Sequence, residues 1–488
     1  MRTAKRMLCL LIFTIALSSA AINGQNQSTD AYKKEAIAWI ESNRPAVITA
    51  ARHIWEYAEP ALLETKSAQE LSAFVEGHGF SVARGVADMP TAFVATYGSG
   101  KPVIGILGEF DALPGLSQKA GSPSKEAVVE GAPGHGCGHN LFGVASATAA
   151  IAIKEAIEKH NLKGTIKFFG CPAEETVVGK VYMAKAGLFD NLDICLDWHP
   201  GSQNEVSLGT TNALNNFEVT FHGQTAHAAA DPWDGRSALD AVELMDAGVN
   251  FLREHVRPTV RIHYVIPDGG KVPNVVPDYA KVWYYVRGKD RAEAEEVYQR
   301  VLKIAEGADM MSGTSHEVYL VTGVYNKLVN RAVARVLHKN LEFVGAPQFT
   351  LQEQALARSI QKSLGKAEEG MSTQIKPLEE PKGYSGGGST DVADVSWIVP
   401  TATLGTACWP LSAPAHSWVV TSCSGSSIGF QGMVTAAKTI ATAGIEALTD
   451  PKIIQDARAE FQQQTKGFTY KSAVPQSQKP RLPKGLDR

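Results

Sequence analysis

The sequence predicts an α/β protein in which a mostly parallel central sheet is flanked by helices and carries an inserted ferredoxin-like α+β domain. Short apolar runs alternate with helical patterns in both outer parts of the chain, which is typical of a parallel sheet with helices on both faces. Between them, residues 210–322 follow the order β-α-β-β-α-β of a ferredoxin-like sandwich. Several apolar runs end at acidic residues or histidines, and open sheets bind ligands at such strand ends.

Composition excludes several classes of protein. The 488 residues are 44% apolar and 20% charged, close to the globular average, which excludes intrinsic disorder and a collagen-like architecture. Lysine and arginine number 47 against 50 acidic residues, so there is no basic excess to neutralise a nucleic acid. Beyond the N-terminus, no apolar run approaches the roughly 18 to 20 residues of a membrane helix. We expect no nucleic-acid partner and no membrane span.

The first residues have the pattern of a secretory signal peptide. Three cations within the first six residues precede an apolar stretch from Met7 to Leu17, and small residues follow at 18–21. We therefore assign residues 1–24 to a signal peptide. The mature chain is expected to be exported, either to a periplasm or out of the cell.

The cysteines that remain after cleavage are odd in number. Loss of Cys9 leaves five, in a compartment where thiols tend to form disulfides. At least one therefore needs another explanation, and ligation of Cys137 to a metal would supply it because a coordinated thiolate is shielded. A disulfide between Cys408 and Cys423 stays an open alternative.

Residues 25–209 form the first part of the predicted catalytic sheet domain. A helical pattern covers residues 30–79, and Val103–Leu107 indicates a buried strand that leads into Glu109 and Asp111. We predict further helices at 141–157 and 181–186, and strands at 165–170 and 194–196.

Residues 210–322 form the inserted domain, and residues 323–465 complete the sheet domain. The inserted domain has predicted strands at 216–221, 260–265, 280–286 and 317–321, and helices at 236–254 and 291–308. After it we predict a helix at 328–342, a polar loop to 388, a strand at 399–404 and a helix at 432–448. The Pro- and Lys-rich tail, 466–488, is expected to wrap the surface or stay mobile.

The segment Gly134–Asn140 carries the densest chemical signal. It places the thiol of Cys137 and the imidazole of His139 two residues apart among glycines, directly before a helix. Such a turn can aim both side chains at one cation. The alternative is a glycine-rich loop with a chance histidine and cysteine.

Three other strand ends supply compatible side chains. Glu174 and Glu175 end one buried strand, His199 ends another, and His416 follows the last one. Because the carboxyl ends of parallel strands meet at one rim, we expect these side chains to converge with the glycine-rich turn.

This donor set predicts a two-metal centre. Thiolate, imidazole and carboxylate ligands suit zinc, manganese or cobalt better than calcium or magnesium. Five ligands exceed what one catalytic ion takes from protein while keeping a water site, so two ions with a shared ligand fit better. One glutamate of the adjacent pair can bind metal while the other moves a proton. The five candidates are Cys137, His139, Glu175, His199 and His416.

Six ordered motifs carry a family resemblance: Ile106–Pro114, Gly134–Asn140, Pro172–Glu175, Asp197–Pro200, Gly223–Ala228 and Gly388–Val392. Together they resemble the amidohydrolase branch of the M20 peptidase family. The resemblance covers nearly the whole mature chain, from about Tyr32 to Ala447.

The resemblance implies a di-metal exopeptidase-like sheet domain that hydrolyses amide bonds. Cys137 would be the shared metal ligand, and the other four candidate ligands would complete the shell. Glu174 would be the general base. Asp111 would orient a ligand histidine from behind.

The resemblance also implies roles for the inserted domain. His227 would stabilise the oxyanion, reaching the site of a partner subunit, and Asn274 would hold the substrate. Arg287 is a candidate for binding a substrate carboxylate, as are Arg236 and Arg261.

The expected substrate is an N-acyl amino acid, with aminobenzoyl-glutamate or a related aryl-acyl amino acid as the narrower candidate. The expected cofactors are two divalent transition-metal ions, manganese or zinc. A homodimer through the inserted domain is the expected assembly, and a heteromer with a related subunit stays open.

Two residues depart from the family pattern. Asn140 stands where most amidohydrolases of this branch have aspartate, and Glu109 stands where the carboxypeptidase branch has histidine. The second departure leaves the role of Glu109 undefined.

Two other functions compete with this hypothesis. Gly383–Gly387 matches G-x-S-x-G, so Ser385 could serve a serine hydrolase with Asp391 or Asp394 and with His416. No buried strand precedes this motif, which argues against a nucleophile elbow. The other alternative is a non-catalytic or partner-dependent metal-binding subunit of the same fold.

Overall fold

The computed structural model describes residues 27–382, 384 and 386–483. The predicted signal peptide and Ser385 lie outside the described residues. Two sheets, one of seven strands and one of four, confirm the predicted α/β class with an inserted ferredoxin-like domain.

The N-terminal helices bury one apolar face in the core that the central sheet also lines. Ile40, Val47 and Ile54 recur every seven residues and are all fully buried. The helices are α1 (27–42), α2 (Arg44–Tyr57) and α3 (Thr65–Glu76).

The central sheet has a parallel middle and antiparallel margins. Its strands are β1 (Ser81–Arg84), β2 (Phe93–Ser99), β3 (Val103–Glu109), β4 (Gly164–Cys171), β5 (Ile194–Gly201), β6 (Glu205–Ser207) and β11 (Thr401–Ala407), in the order β1-β2-β4-β3-β5-β11-β6. The pairings β4–β3, β3–β5 and β5–β11 are parallel. The other three, β1–β2, β2–β4 and β11–β6, are antiparallel. The sheet is therefore mixed, and its parallel middle is the part that the apolar runs predicted.

The inserted domain forms the second sheet. Its strands β7 (Ala213–His222), β8 (Arg261–Asp268), β9 (Tyr279–Gly288) and β10 (Ser315–Val324) pair in the antiparallel order β10-β7-β9-β8. Helices α6 (Ala238–Leu252) and α7 (Arg291–Ser312) bury their apolar faces on one side of this sheet. All six elements predicted for residues 210–322 are present.

The remaining helices belong to the part of the chain that forms the central sheet: α4 (His139–His160), α5 (Gly179–Lys185), α8 (Arg331–Val344), α9 (Leu351–Ser363), α10 (Val392–Ser396), α11 (Trp418–Ser424), α12 (Ser427–Thr449) and α13 (Pro451–Gln464). Among the described residues, α4 alone is long and apolar enough to cross a membrane, but 94% of its apolar window is buried inside the protein. It is a core helix, packed between β3 and α12.

Helix α9 lies inside the segment for which the sequence predicts a polar loop up to residue 388. Its sequence is mostly polar, so the few apolar residues that form its buried face, among them Ala357 and Ile360, do not stand out in the sequence. A local signal is present, because Thr350 and Glu353 form a capping box at its start.

The C-terminal tail joins the two domains. Tyr470 donates a hydrogen bond of 2.7 Å to the buried Asp394 on α10, and Gln478 donates to the carbonyl of Leu320 on β10 at 2.7 Å. Further on, Arg481 donates to Glu218 on β7 at 2.7 Å. The described part of the tail, up to residue 483, wraps the surface as one of the two predicted outcomes.

We expect Tyr470→Phe to lower the free energy of unfolding by about 1–3 kcal/mol, because it leaves Oδ1 of the buried Asp394 carboxyl without its donor. Urea unfolding at neutral pH measures this. Tyr279→Phe, at a half-exposed position on the second sheet, serves as the control and should change stability by less than about 0.5 kcal/mol. Equal effects of the two substitutions would contradict a specific role for the Tyr470 hydroxyl.

Candidate metal centre

The glycine-rich turn before α4 positions the first two candidate ligands. Gly138 caps the helix with a φ of 78°, and a Cβ there would lie 3.0 Å from Pro200, so only glycine fits. The turn presents Cys137 to the cavity and makes His139 the first residue of α4. Asn140 donates to the carbonyls of Ala51 and Ser424 at 3.1 and 3.0 Å, which aspartate could not do.

Cys137 meets His199 across the rim of the sheet. The sulfur of Cys137 lies 3.4 Å from Nε2 of His199, which is on β5. Nδ1 of His199 lies 2.7 Å from the carbonyl oxygen of Pro200 and therefore carries the proton. This leaves the lone pair of Nε2 directed at the thiol, as a metal-binding imidazole requires.

Asp111 accepts hydrogen bonds from two residues of the candidate site. Its Oδ1 accepts a hydrogen bond from Nδ1 of His139 at 2.8 Å, and its Oδ2 accepts from the backbone N of Glu175 at 2.9 Å. Both His139 and Asp111 are buried. The orienting contact implied by the family resemblance is thus present.

The paired glutamates lie in a strained turn after β4. Glu174–Thr176 form one turn of 3-10 helix, flanked by Ala173 and Val177 with φ of 57° and 52°. Positive φ is uncommon for residues other than glycine and costs of order 1–3 kcal/mol, and such strain concentrates at functional sites. His416 shares this feature, with a φ of 52°.

The five predicted ligands form two overlapping clusters. In one, ligand atoms of Cys137, His139 and His199 all lie within 4.8 Å of one another. In the other, the same holds for Cys137, Glu175 and His416, with Nε2 of His416 3.5 Å from Glu175. Cys137 belongs to both clusters, which is the position of a shared ligand.

Buried polar atoms without partners support the fit to cations. Among the described residues, Oε1 of Glu175 is buried and accepts no hydrogen bond, and Nε2 of His139 makes none either, although an oxygen of Glu109 lies 3.2 Å from it. Leaving such atoms unpaired is costly. A borderline metal ion would satisfy this thiolate, imidazole and carboxylate set.

Burial shifts the acid–base groups of the site. It raises the pKa of Glu174 to about 7 and that of Glu175 to about 8, reinforced by neighbouring carboxylates. It lowers the pKa of His199 to about 3, so this imidazole is neutral, and it raises the pKa of the Cys137 thiol. For Asp111, burial is outweighed by the charge and hydrogen bond of His139, which lower its pKa.

A buried ion cluster beneath the site was not identified from the sequence. Nζ of Lys180, on α5, lies 2.6 Å from Glu109 and 2.6 Å from Asp391, and all three side chains are buried. Glu109 in turn lies 3.2 Å from Nε2 of His139. Glu109 therefore has a defined place between this lysine and a metal ligand. The available sequence signal was a single cation among the apolar residues 177–184.

A cavity of about 380 Å³ opens between the two sheets in front of the clusters. The predicted site residues that line it are Cys137, Glu174, Glu175, His199, Arg287 and His416. Arg287, at the end of β9, donates to Oγ of Ser389 at 2.8 Å. Arg236 and Arg261 are not among the lining residues.

His227 and Asn274 lie together on the inserted domain, away from this cavity. Both are exposed, and the backbone N of Ala228 donates to the carbonyl of Asn274 at 3.1 Å. Neither lines the cavity of its own chain. Their roles at the site of a partner subunit stay predictions.

The contacts of Asp391 and Asp394 argue against the serine hydrolase alternative. Asp391 is paired with Lys180, and Asp394 accepts hydrogen bonds from Tyr470 and from the backbone N of Tyr325. The carboxylate that lies beside His416 is instead that of Glu175.

The described cysteines are free thiols. Cys408 and Cys423 are both buried and unpaired, so the disulfide alternative is not formed in this structure. Cys171 and Cys195 are also buried in the core.

Comparison with known proteins identifies the family of the chain. The model of Peptidase family M20/M25/M40 matches residues 105–420. One of the subunits of p-aminobenzoyl-glutamate hydrolase from Escherichia coli K12 is 38% identical over 469 residues, 90% of this chain and 97% of that protein. The Xaa-Arg dipeptidase of Mus musculus is 27% identical over 88% of this chain and 92% of that protein.

The fold is shared with the crystal structure of an aminobenzoyl-glutamate utilization protein from Klebsiella pneumoniae. The TM-score is 0.58 at 18% identity, over 84% of this chain and 97% of that one. The family match covers more than half of the chain, and the Escherichia coli relative covers nearly all of it. The chain therefore belongs to Peptidase family M20/M25/M40 and is a hydrolytic enzyme that acts on amide bonds.

Proposed function

We propose that the protein is a di-metal amidohydrolase that cleaves N-acyl amino acids, with aryl-acyl amino acids such as aminobenzoyl-glutamate as the narrower class. The observation that carries the proposal is the pair of ligand clusters sharing Cys137, with Glu174 in the same cavity and outside both of them. Glu174 belongs to a third group of possible ligands, with Glu109 and His139. The Escherichia coli relative is named for hydrolysis of p-aminobenzoyl-glutamate, which supports the aryl-acyl class.

The metal ions would be held by Cys137, His139, Glu175, His199 and His416. When bound, two such ions polarise an amide carbonyl and make water more acidic. Manganese and zinc are the proposed ions, because imidazole and thiolate ligands suit zinc and carboxylate ligands suit manganese.

Glu174 moves the proton in this mechanism. It lines the cavity, and burial places its pKa at about 7, which suits a group that must both accept and release a proton. It takes the proton from the attacking water and delivers it to the leaving amine nitrogen. Asp111 holds His139 in one orientation through their 2.8 Å hydrogen bond.

The proposed assembly is a homodimer through the inserted domain. Strand β8 is an open edge of its sheet, whereas β10 at the opposite edge is contacted by the tail. Exposed apolar side chains cluster beside this edge, among them Val265, Ile266 and Val272. The Escherichia coli relative is itself named as one of the subunits of a hydrolase, which supports a heteromer with a related chain as the alternative assembly.

Export is proposed from the N-terminal residues alone. Their cationic and apolar pattern is that of a signal peptide. Fractionation of cells that express the full chain, with N-terminal sequencing of the product, tests this.

The proposed activity is tested by removing and returning the metal. Chelator-treated protein should hydrolyse no N-acyl amino acid, and addition of manganese, zinc or cobalt should restore hydrolysis of members of a panel that includes aminobenzoyl-glutamate. Elemental analysis of active protein should find about two ions per chain, as a two-metal site requires. Full activity of metal-free protein would refute the proposal.

A further inference from the structure

Two cations share the wall of the cavity opposite the metal clusters. Arg287 reaches it from the end of β9, and Lys327 reaches it from the segment that follows β10 and returns to the catalytic domain. Nζ of Lys327 donates to Oγ1 of Thr403 at 3.2 Å, and this hydroxyl donates to Asp197 at 2.7 Å. No sequence motif marked Lys327.

Neither cation has an anionic partner at contact distance. Among the described residues, no carboxylate lies within 4.0 Å of Lys327 or of Arg287, and their side chains donate to the hydroxyls of Thr403 and Ser389. Burial lowers the pKa of both groups, so both are desolvated without the compensation of an ion pair. An anionic ligand in the cavity would compensate both.

The two cations lie near different groups of the site. The charge of Arg287 acts on Glu174 and on His416, whereas the charge of Lys327 acts on Asp197. A carboxylate next to the scissile amide would therefore meet Arg287. A carboxylate further along the same substrate would meet Lys327.

We propose that Lys327 is a specificity residue that binds a second carboxylate of the substrate, so that the enzyme selects acyl derivatives of acidic amino acids. This inference rests on the proposed function and adds to it a residue and a leaving-group class. The planar guanidinium of Arg287 binds the α-carboxylate, which all amino acids have. The ammonium group of Lys327 binds the side-chain carboxylate.

The test compares N-benzoyl-L-glutamate with N-benzoyl-L-glutamine, which differ only in the side-chain charge. For the metal-loaded enzyme, kcat/KM should be at least about 10-fold higher for the glutamate compound, because only its side chain can form an ion pair with Lys327. Lys327→Met should lower that value about 10- to 100-fold and leave the glutamine value within about twofold, as expected for loss of one charge-assisted hydrogen bond. Lys327→Arg should retain part of the preference. Arg287→Met should lower both values alike.

Equal kcat/KM for the two compounds in the unchanged enzyme would overturn the inference and leave the proposed amidohydrolase standing. A uniform loss on both compounds in Lys327→Met would overturn it as well, since that is the signature of a structural role. If the enzyme hydrolyses neither compound, calorimetry can instead measure its affinity for free L-glutamate and for free L-glutamine. There, a glutamate preference lost in Lys327→Met supports the inference, and no preference refutes it.

Discussion

Glu174→Gln is expected to lower kcat by about 10²- to 10⁴-fold, because the amide cannot accept the proton of the attacking water. The substitution preserves the size of the side chain. It also leaves in place the hydrogen bonds of Asp111 with His139 and with the backbone of Glu175. Steady-state kinetics with the best substrate of the panel measures the loss.

The neighbouring Glu175→Gln is the matched control for this prediction. Glu175 belongs to the cluster with Cys137 and His416, so its substitution should lower the metal content of the purified protein. Glu174→Gln should keep both its metal content and its thermal midpoint. Wild-type turnover in Glu174→Gln, or loss of its metal, would show that the two roles have been assigned wrongly.

Lys180→Met is expected to lower the free energy of unfolding by about 3–5 kcal/mol, because it leaves two carboxylates buried without their cation. Nζ lies 2.6 Å from both Glu109 and Asp391, and its side chain is fully buried. Urea unfolding of metal-free and metal-loaded protein separates this effect from stabilisation by bound ions.

An exposed lysine provides the comparison for Lys180. Lys452 pairs with Asp456 one helical turn away at the surface, and Lys452→Met should change stability by less than about 0.5 kcal/mol. Adding Glu109→Gln and Asp391→Asn to Lys180→Met should recover part of the loss, since no unpaired charge is then buried. A loss below about 1 kcal/mol for Lys180→Met alone would refute this view of the cluster.

The metal centre was predictable because its residues carry local signals. Cys137 and His139 stand in a glycine-rich turn, and Glu175 and His199 end apolar runs that are buried strands in the structure. The parallel pairing of β3, β4, β5 and β11 then brings these ends to one rim. The fold class followed from the same alternation.

The antiparallel margins of the central sheet were not predictable from the same pattern. Strand β1 is largely exposed and β6 has three residues, so neither shows a continuous apolar run. Their direction depends on pairing with neighbours, which a local pattern does not contain.

Lys180 and Lys327 were missed in the sequence, and the reason is different. A single lysine in a helix or a connecting segment is ordinary in sequence, and its meaning depends on what surrounds it in space. Asp391 lies 211 residues from Lys180, and Thr403 lies 76 residues from Lys327. His227 and Asn274 show the converse, since the family resemblance pointed to them and the single chain leaves them outside its own cavity.

The tail gives the molecule a third crossing between its two sheets, in addition to the two covalent connections before β7 and after β10. A rotation that opened the cleft would have to stretch or break the contacts of Gln478 with Leu320 and of Arg481 with Glu218. The tail therefore restrains rotation of one sheet relative to the other.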